Sequence, residues 1–124
     1  MTRQALTSSF GHAWDGIVRA SRERNFRIEL CFAVAAVVLG VALRIDFAEW
    51  AVIALCIGVV LSGECANTAL EAVVDLASPE YHELAKTAKD CAAGAVLVTS
   101  IASLFVAAFV FLPKMIGLLL VFIG

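Results

Sequence analysis

The stretch Glu64-Cys65-Ala66-Asn67-Thr68-Ala69-Leu70-Glu71-Ala72-Val73-Val74-Asp75 sets three carboxylates and an amide among small and apolar residues. On a helix their offsets fall at about 0°, 300°, 340° and 20°, so Glu64, Asn67, Glu71 and Asp75 share one stripe about 80° wide. For Asn67 alone the ordinary role is hydrogen bonding between helices. The carboxylates ask for more, because like charges stacked along one face repel unless a cation, a proton or a basic partner joins them. Mg²⁺, Lys86 and Lys89 are the candidate cations. Glu64 and Asp75 stand about 16 Å apart along the axis, too far for one metal to touch both. The stripe therefore reads as running from a membrane-depth group, Glu64, to a rim group, Asp75. That arrangement suits a reaction joining a lipid headgroup to a water-soluble donor, and ionisable groups near lipid are normally kept for such a site or pathway.

Two other charged stretches are expected at the same depth: Arg22-Glu23-Arg24-Asn25 upstream, and Tyr81-His82-Glu83-Leu84-Ala85-Lys86-Thr87-Ala88-Lys89-Asp90 downstream. Carboxylates converging with lysines are what phosphoryl transfer needs: ligands for a metal on the phosphates, a cation, and a base for the attacking hydroxyl. No G-x-x-x-x-G-K-[ST], G-x-G-x-x-G or H-R-D motif occurs, which excludes a P-loop enzyme and a protein-kinase fold. A different reading makes the stripe the lining of a small proton- or ion-conducting oligomer. It gives Glu23, Lys89 and Asp90 no work.

The elements that must position these groups are membrane helices. Of 124 residues, 62% are hydrophobic and 16% charged, and the mean hydropathy is +0.96, a balance that excludes an ordinary soluble domain. The net charge of −2 offers no basic stripe for nucleic acid. Apolar runs predict three spans over 28–44, 48–77 and 91–112. The last has 22 uncharged residues from Cys91 to Leu112, about 33 Å of helix and enough to cross. Met115 to Gly124 is too short to cross alone and reads as an extension or trailing end of that helix.

Arg3, Arg19, Arg22, Arg24 and Arg27 precede the first span and Lys86 and Lys89 lie between the second and third, against Arg44 and Lys114 on the other side. This bias puts the N-terminus and the second loop in the cytoplasm. Trp14 and Trp50 fall near opposite interfaces. No apolar h-region marks a cleavable signal peptide. Leu6, Phe10, Ala13, Trp14, Ile17 and Val18 recur every three or four residues, which predicts an amphipathic helix over 5–26. Either it lies on the inner membrane surface or it packs on other protein. Cys31, Cys56, Cys65 and Cys91 have no metal-ligand spacing and read as small packing residues. Ser78-Pro79 is expected to stop the second span and to start the next helix almost at once.

At these residues the chain resembles the small bacterial membrane lipid kinases, the family of prokaryotic diacylglycerol kinase and undecaprenol kinase. Gly63 to Asp75, Ser78 to Val96 and Glu23 to Arg27 carry the resemblance, which covers roughly residues 10 to 114. Glu23-Arg24-Asn25, Glu49-Trp50 and Phe111 to Lys114 are closer to the undecaprenol-kinase branch, whereas Tyr81 to Leu84 are closer to the diacylglycerol-kinase branch. Glu29 stands where the former usually has histidine. The resemblance implies an all-α homotrimer of three-span subunits with an N-terminal surface helix, in the bacterial inner membrane, with sites shared between subunits. It implies MgATP and a membrane lipid, undecaprenol or diacylglycerol, as partners. Carried onto this chain, Glu64 would be the catalytic base with Asn67 beside it, and Glu23 and Glu71 would hold the metal. Lys89 would contact phosphate, with Asp90 and Asp75 on the nucleotide side and Glu29 and His82 as further members. The small residues Ala66, Ala69, Ala72, Ala88, Ala92, Ala93, Gly94 and Ala95 suit the close helix packing of such an oligomer.

The charge bias makes a direct prediction. With the four native cysteines replaced, a lone cysteine at Lys89 should react with a membrane-impermeant maleimide from the cytoplasmic face, and one at Arg44 from the opposite face. Reaction of both from one side would refute the assigned topology.

Overall fold

The computed structural model describes residues 3–123; the side chains of Arg3 and Leu6, used above, and Gly124 lie outside the described residues. The chain is all-helical, with α1 over Arg3–Ala20, α2 over Arg24–Ala42, α3 over Phe47–Ala77 and α4 over Glu83–Ile123. The last three are long and apolar enough to cross a membrane. At 1.5 Å per residue α2 spans about 28 Å, close to the hydrocarbon thickness, while α3 reaches about 46 Å and α4 about 61 Å. The excess of α3 over α2 is the segment that carries Glu64 to Asp75.

Two boundaries differ from those read in the sequence. The helix expected over 5–26 is split. Amides of Arg22 and Glu23 bond back to the carbonyls of Arg19 and Ala20, and Ser21 Oγ donates to the Val18 carbonyl, which tightens and ends α1. Arg24 to Phe26 thereby open α2. Ser78-Pro79 stops α3 but does not start α4, because Ser78 Oγ is turned onto the Glu80 carbonyl. The next helix begins at Glu83, where His82 Nδ1 accepts the Leu84 amide. At its far end α4 continues through Pro113 to Ile123, so the terminal apolar segment extends the third span.

The turn between α2 and α3 is closed on both sides. The amides of Ile45 and Arg44 bond to the carbonyls of Gly40 and Val41 at 3.1 and 3.2 Å, a Schellman closure with Arg44 in the left-handed region at φ 50°. Asp46 then caps α3: its carboxylate accepts the Glu49 amide at 2.9 Å, and Glu49 accepts the Asp46 amide at 2.7 Å. Lys114 adds an ion pair to Glu49 at 3.0 Å, tying α4 to the same end. Beside this turn lies the apolar core of Ile45, Ile53 and Phe111, with Leu39, Leu43, Trp50 and Val110 packed around it.

Counting outward from the turn in antiparallel register sets Arg24 opposite about residue 65 of α3. Counting from the 78–82 loop sets α4 on α3 so that Lys89 meets Asp75, Gly63 faces Val96 and Thr99, and Lys114 meets Glu49. Most other apolar side chains of the spans, such as Phe32, Val41, Leu55, Val98 and Phe109, are exposed in the isolated chain. Surface of that kind requires hydrocarbon or further protein around it.

Gly40 permits the tight approach of α2 to the start of α3. A Cβ there would lie 2.8 Å from Trp50 Cη2 and 3.0 Å from Ile45 Cδ1. Gly40→Ala should therefore destabilise the chain by about 1–3 kcal/mol through overpacking, and Trp50→Leu in the same chain should recover part of that loss. Thermal unfolding in micelles reads both effects; an unchanged midpoint for Gly40→Ala would refute the contact.

Candidate functional site

The α2–α3 register brings the first turn of α2 against the middle of α3, and a cavity of about 230 Å³ opens between them. Glu23, Arg24 and Asn25 line one wall, and Glu64, Asn67, Thr68 and Glu71 the other. Glu64 is 4% exposed and Asn67 9%, the two buried polar residues of the described chain. Asn67 Nδ2 donates to Glu71 Oε1 at 3.1 Å one turn away, while its Oδ1 is buried without a partner. Thr68 Oγ1 donates to the Glu64 carbonyl at 3.0 Å. Glu29, Glu71 and Glu23 are the carboxylates whose fields reach Glu64. Negative charge is therefore concentrated around one acid.

Next to the cavity, on the side of the apolar core, runs a second and almost wholly apolar groove of about 270 Å³ between α2, α3 and α4. Phe32, Ala36, Leu39, Ile57, Leu104 and Ala107 are among its walls, and Ile53 and Phe111 of the core form its far end. Its polar mouth is Glu29, whose Oε1 accepts from Ser100 Oγ at 2.8 Å, joining α2 to α4. Val60 and Leu61 line the groove and Glu64 lines the cavity, one helical turn along α3. The wall of the groove on α3 thus ends one helical turn from Glu64.

Of the residues singled out in the sequence, Glu23, Glu64, Asn67 and Glu71 come together on the cavity. Asp75, His82, Lys89 and Asp90 do not line it. Lys89 Nζ is bound to Asp75 Oδ1 at 2.5 Å and Lys86 to Asp90 at 2.6 Å, both pairs largely exposed at the α3–α4 end of the bundle. His82 is occupied at the start of α4. Among the described residues no three Asp, Glu, His or Cys side chains gather into a ready metal cage; the cavity offers Glu23 and Glu71 on facing walls. Arg24, Asn25 and Thr68 are cavity residues that the sequence reading did not assign. The antiparallel count from the Asp46 turn would have found the first two.

The chain is similar in sequence to known proteins. The sequence model of the family described as prokaryotic diacylglycerol kinase matches residues 11–111. The undecaprenol kinase of Bacillus subtilis is 44% identical over 108 residues, covering 86% of this chain and 88% of that protein. A diacylglycerol kinase of Synechocystis is 45% identical over 116 residues, covering 92% of this chain and 66% of that protein. The diacylglycerol kinase of Escherichia coli K12 is 36% identical over 97 residues, covering 77% and 80%.

The Asn67–Glu71 bond separates structural from chemical roles. Glu71→Gln keeps an acceptor for Asn67 Nδ2 and should leave the melting midpoint almost unchanged, whereas Glu71→Leu strands both ends of a buried amide and should cost about 1–3 kcal/mol. Equal midpoints for the two variants would show that the bond does not support the fold.

Proposed function

The chain belongs to the prokaryotic diacylglycerol kinase family, and from that premise we propose that this lipid kinase moves the γ-phosphoryl group of ATP to the primary hydroxyl of a membrane lipid alcohol, undecaprenol or diacylglycerol. The observation that carries this reading is the position of Glu64, a buried carboxylate of the polar cavity one helical turn from the residues that line the apolar groove. A lipid chain seated in the groove brings its hydroxyl to Glu64, and a nucleotide enters from the polar side. Lipid then arrives laterally through the bilayer while ATP comes from the cytosol.

In the reaction the lipid oxygen attacks the γ-phosphorus. The new O–P bond forms as the bridging bond to the β-phosphate breaks, the hydroxyl proton passes to the Glu64 carboxylate, and ADP leaves. Asn67 Oδ1, buried and unpartnered, is positioned to accept from the same hydroxyl and orient it. Mg²⁺ usually binds through one or two carboxylates completed by phosphate oxygens and water, and the pair Glu23 and Glu71 fits that donor set. When bound, the ion neutralises charge on the phosphates. Asp75, Lys89, Asp90 and His82 stand outside this cavity and would join the nucleotide side only if Lys89 exchanged Asp75 for phosphate as the nucleotide entered.

The surrounding assembly rests on the family resemblance, to which the exposed apolar faces and the charge bias add support. We assign a homotrimer in the bacterial inner membrane, N-terminus in the cytoplasm, with α1 on the inner surface through Phe10, Trp14 and Ile17, all exposed. The ion-conducting reading of the stripe finds no support in the relatives.

Glu64→Gln should keep the fold and the oligomer but lower turnover by about 10²–10⁴, the usual worth of a general base. The assay is transfer of labelled phosphate from MgATP to undecaprenol and diacylglycerol, offered side by side in nanodiscs. Retained activity would remove the Glu64 assignment, and the ratio of the two products identifies the substrate.

A further inference from the structure

Arg24 is the one basic residue on the cavity wall. Among the described residues no carboxylate lies within 4.0 Å of its guanidinium, although Glu23, Glu64 and Glu71 share the cavity, and the ion pairs present all belong to lysines. It is also the first residue of α2. A cation there opposes the helix dipole, and the first-turn amides lack acceptors within the helix. The side chain of the preceding Glu23 supplies no cap. Arg24 is exposed, so water meets the guanidinium, the open amides and the uncapped start, and an entering anion would replace it at all three. Asn67, nine-tenths buried with Oδ1 unsatisfied on the facing wall, separately marks the same space as one that receives a ligand. By contrast Lys89, the cation expected from the sequence, is engaged by Asp75 outside the cavity.

On the reading of the chain as an ATP-dependent lipid kinase, we infer that Arg24 is a phosphate-binding residue of the reaction, its guanidinium gripping the phosphate chain of the nucleotide across the cavity from Glu64 and Asn67. The planar fork can donate to two non-bridging oxygens at once, which a lysine cannot do. It also offsets the carboxylates of the cavity, so that a polyanion can approach a wall that would otherwise repel it.

The test uses the full chain in nanodiscs. Binding of adenosine β,γ-methylene triphosphate with Mg²⁺ is measured by calorimetry, and phosphate transfer to lipid by steady-state kinetics. Arg24→Ala should weaken analogue binding at least about tenfold and lower kcat/KM for ATP by roughly 100-fold or more, with KM for lipid nearly unchanged. Arg24→Lys, which keeps the charge but loses the fork, should remain roughly tenfold below the parent. Millimolar guanidinium should restore part of the activity of Arg24→Ala and none to the parent. Arg22→Ala, an exposed arginine off the cavity, serves as the control for surface charge and should behave as the parent. Unchanged analogue binding and turnover in Arg24→Ala would overturn the inference, as would an effect confined to KM for lipid. If the parent chain makes no lipid phosphate, the kinase reading fails, and the binding measurement still decides the role of Arg24.

Discussion

The register between α2 and α3 is the constraint on which the rest depends. It is set at one end, where the Schellman closure at Arg44 and the capping box of Asp46 and Glu49 leave no slack in the turn. Gly40 against Trp50 then fixes how closely the helices approach. Each residue away from the turn is carried to a definite partner, and at the other end the start of α2 arrives opposite Glu64. Apolar packing near the turn thus determines polar geometry some six helical turns away. A shift of one residue would rotate α2 by about 100° and remove Glu23 and Arg24 from the cavity.

The site at that far end concentrates charge that it does not itself neutralise. Glu71, Glu23 and Glu29 lie close enough to act on Glu64, while the lysines nearby are paired with Asp75 and Asp90. Such a cluster is tolerated where it gains ligands, and the open amide oxygen of Asn67 and the free guanidinium of Arg24 are complementary to a hydroxyl and a polyanion. Function and instability share one origin here. On the proposed reading, the groups left incomplete by the fold are those that substrates would complete.

Much of this was legible in the sequence, for physical reasons. A polar stripe at helical spacing within an apolar segment is periodic, so Glu64, Asn67 and Glu71 could be placed on one face, and the structure puts them on one cavity. The spans followed from hydropathy and length, with the end of α4 extended rather than stopped at Pro113. What could not be read depends on tertiary pairing. The Glu29–Ser100 bond links residues 71 positions apart on different helices, and Lys89 finds Asp75 across a loop. The split between α1 and α2 was hidden because Ser21 to Glu23 interrupt the helix by local back-bonding, with neither glycine nor proline to announce it. Arg24 was visible as a charge but not as a wall of the site, since that requires the turn count.

The depth of the apolar groove has its own consequence. From Glu29 to Leu39 it follows α2 for about 15 Å, one leaflet of the hydrocarbon, and is then stopped by Ile53 and Phe111. A lipid tail seated there, as proposed, would be gripped over its first part only, and whatever lies beyond would trail among neighbouring lipids. On the proposed reading, discrimination between alcohols would then rest on their head and first few carbons, and two molecules differing in total chain length alone would look the same to this protein.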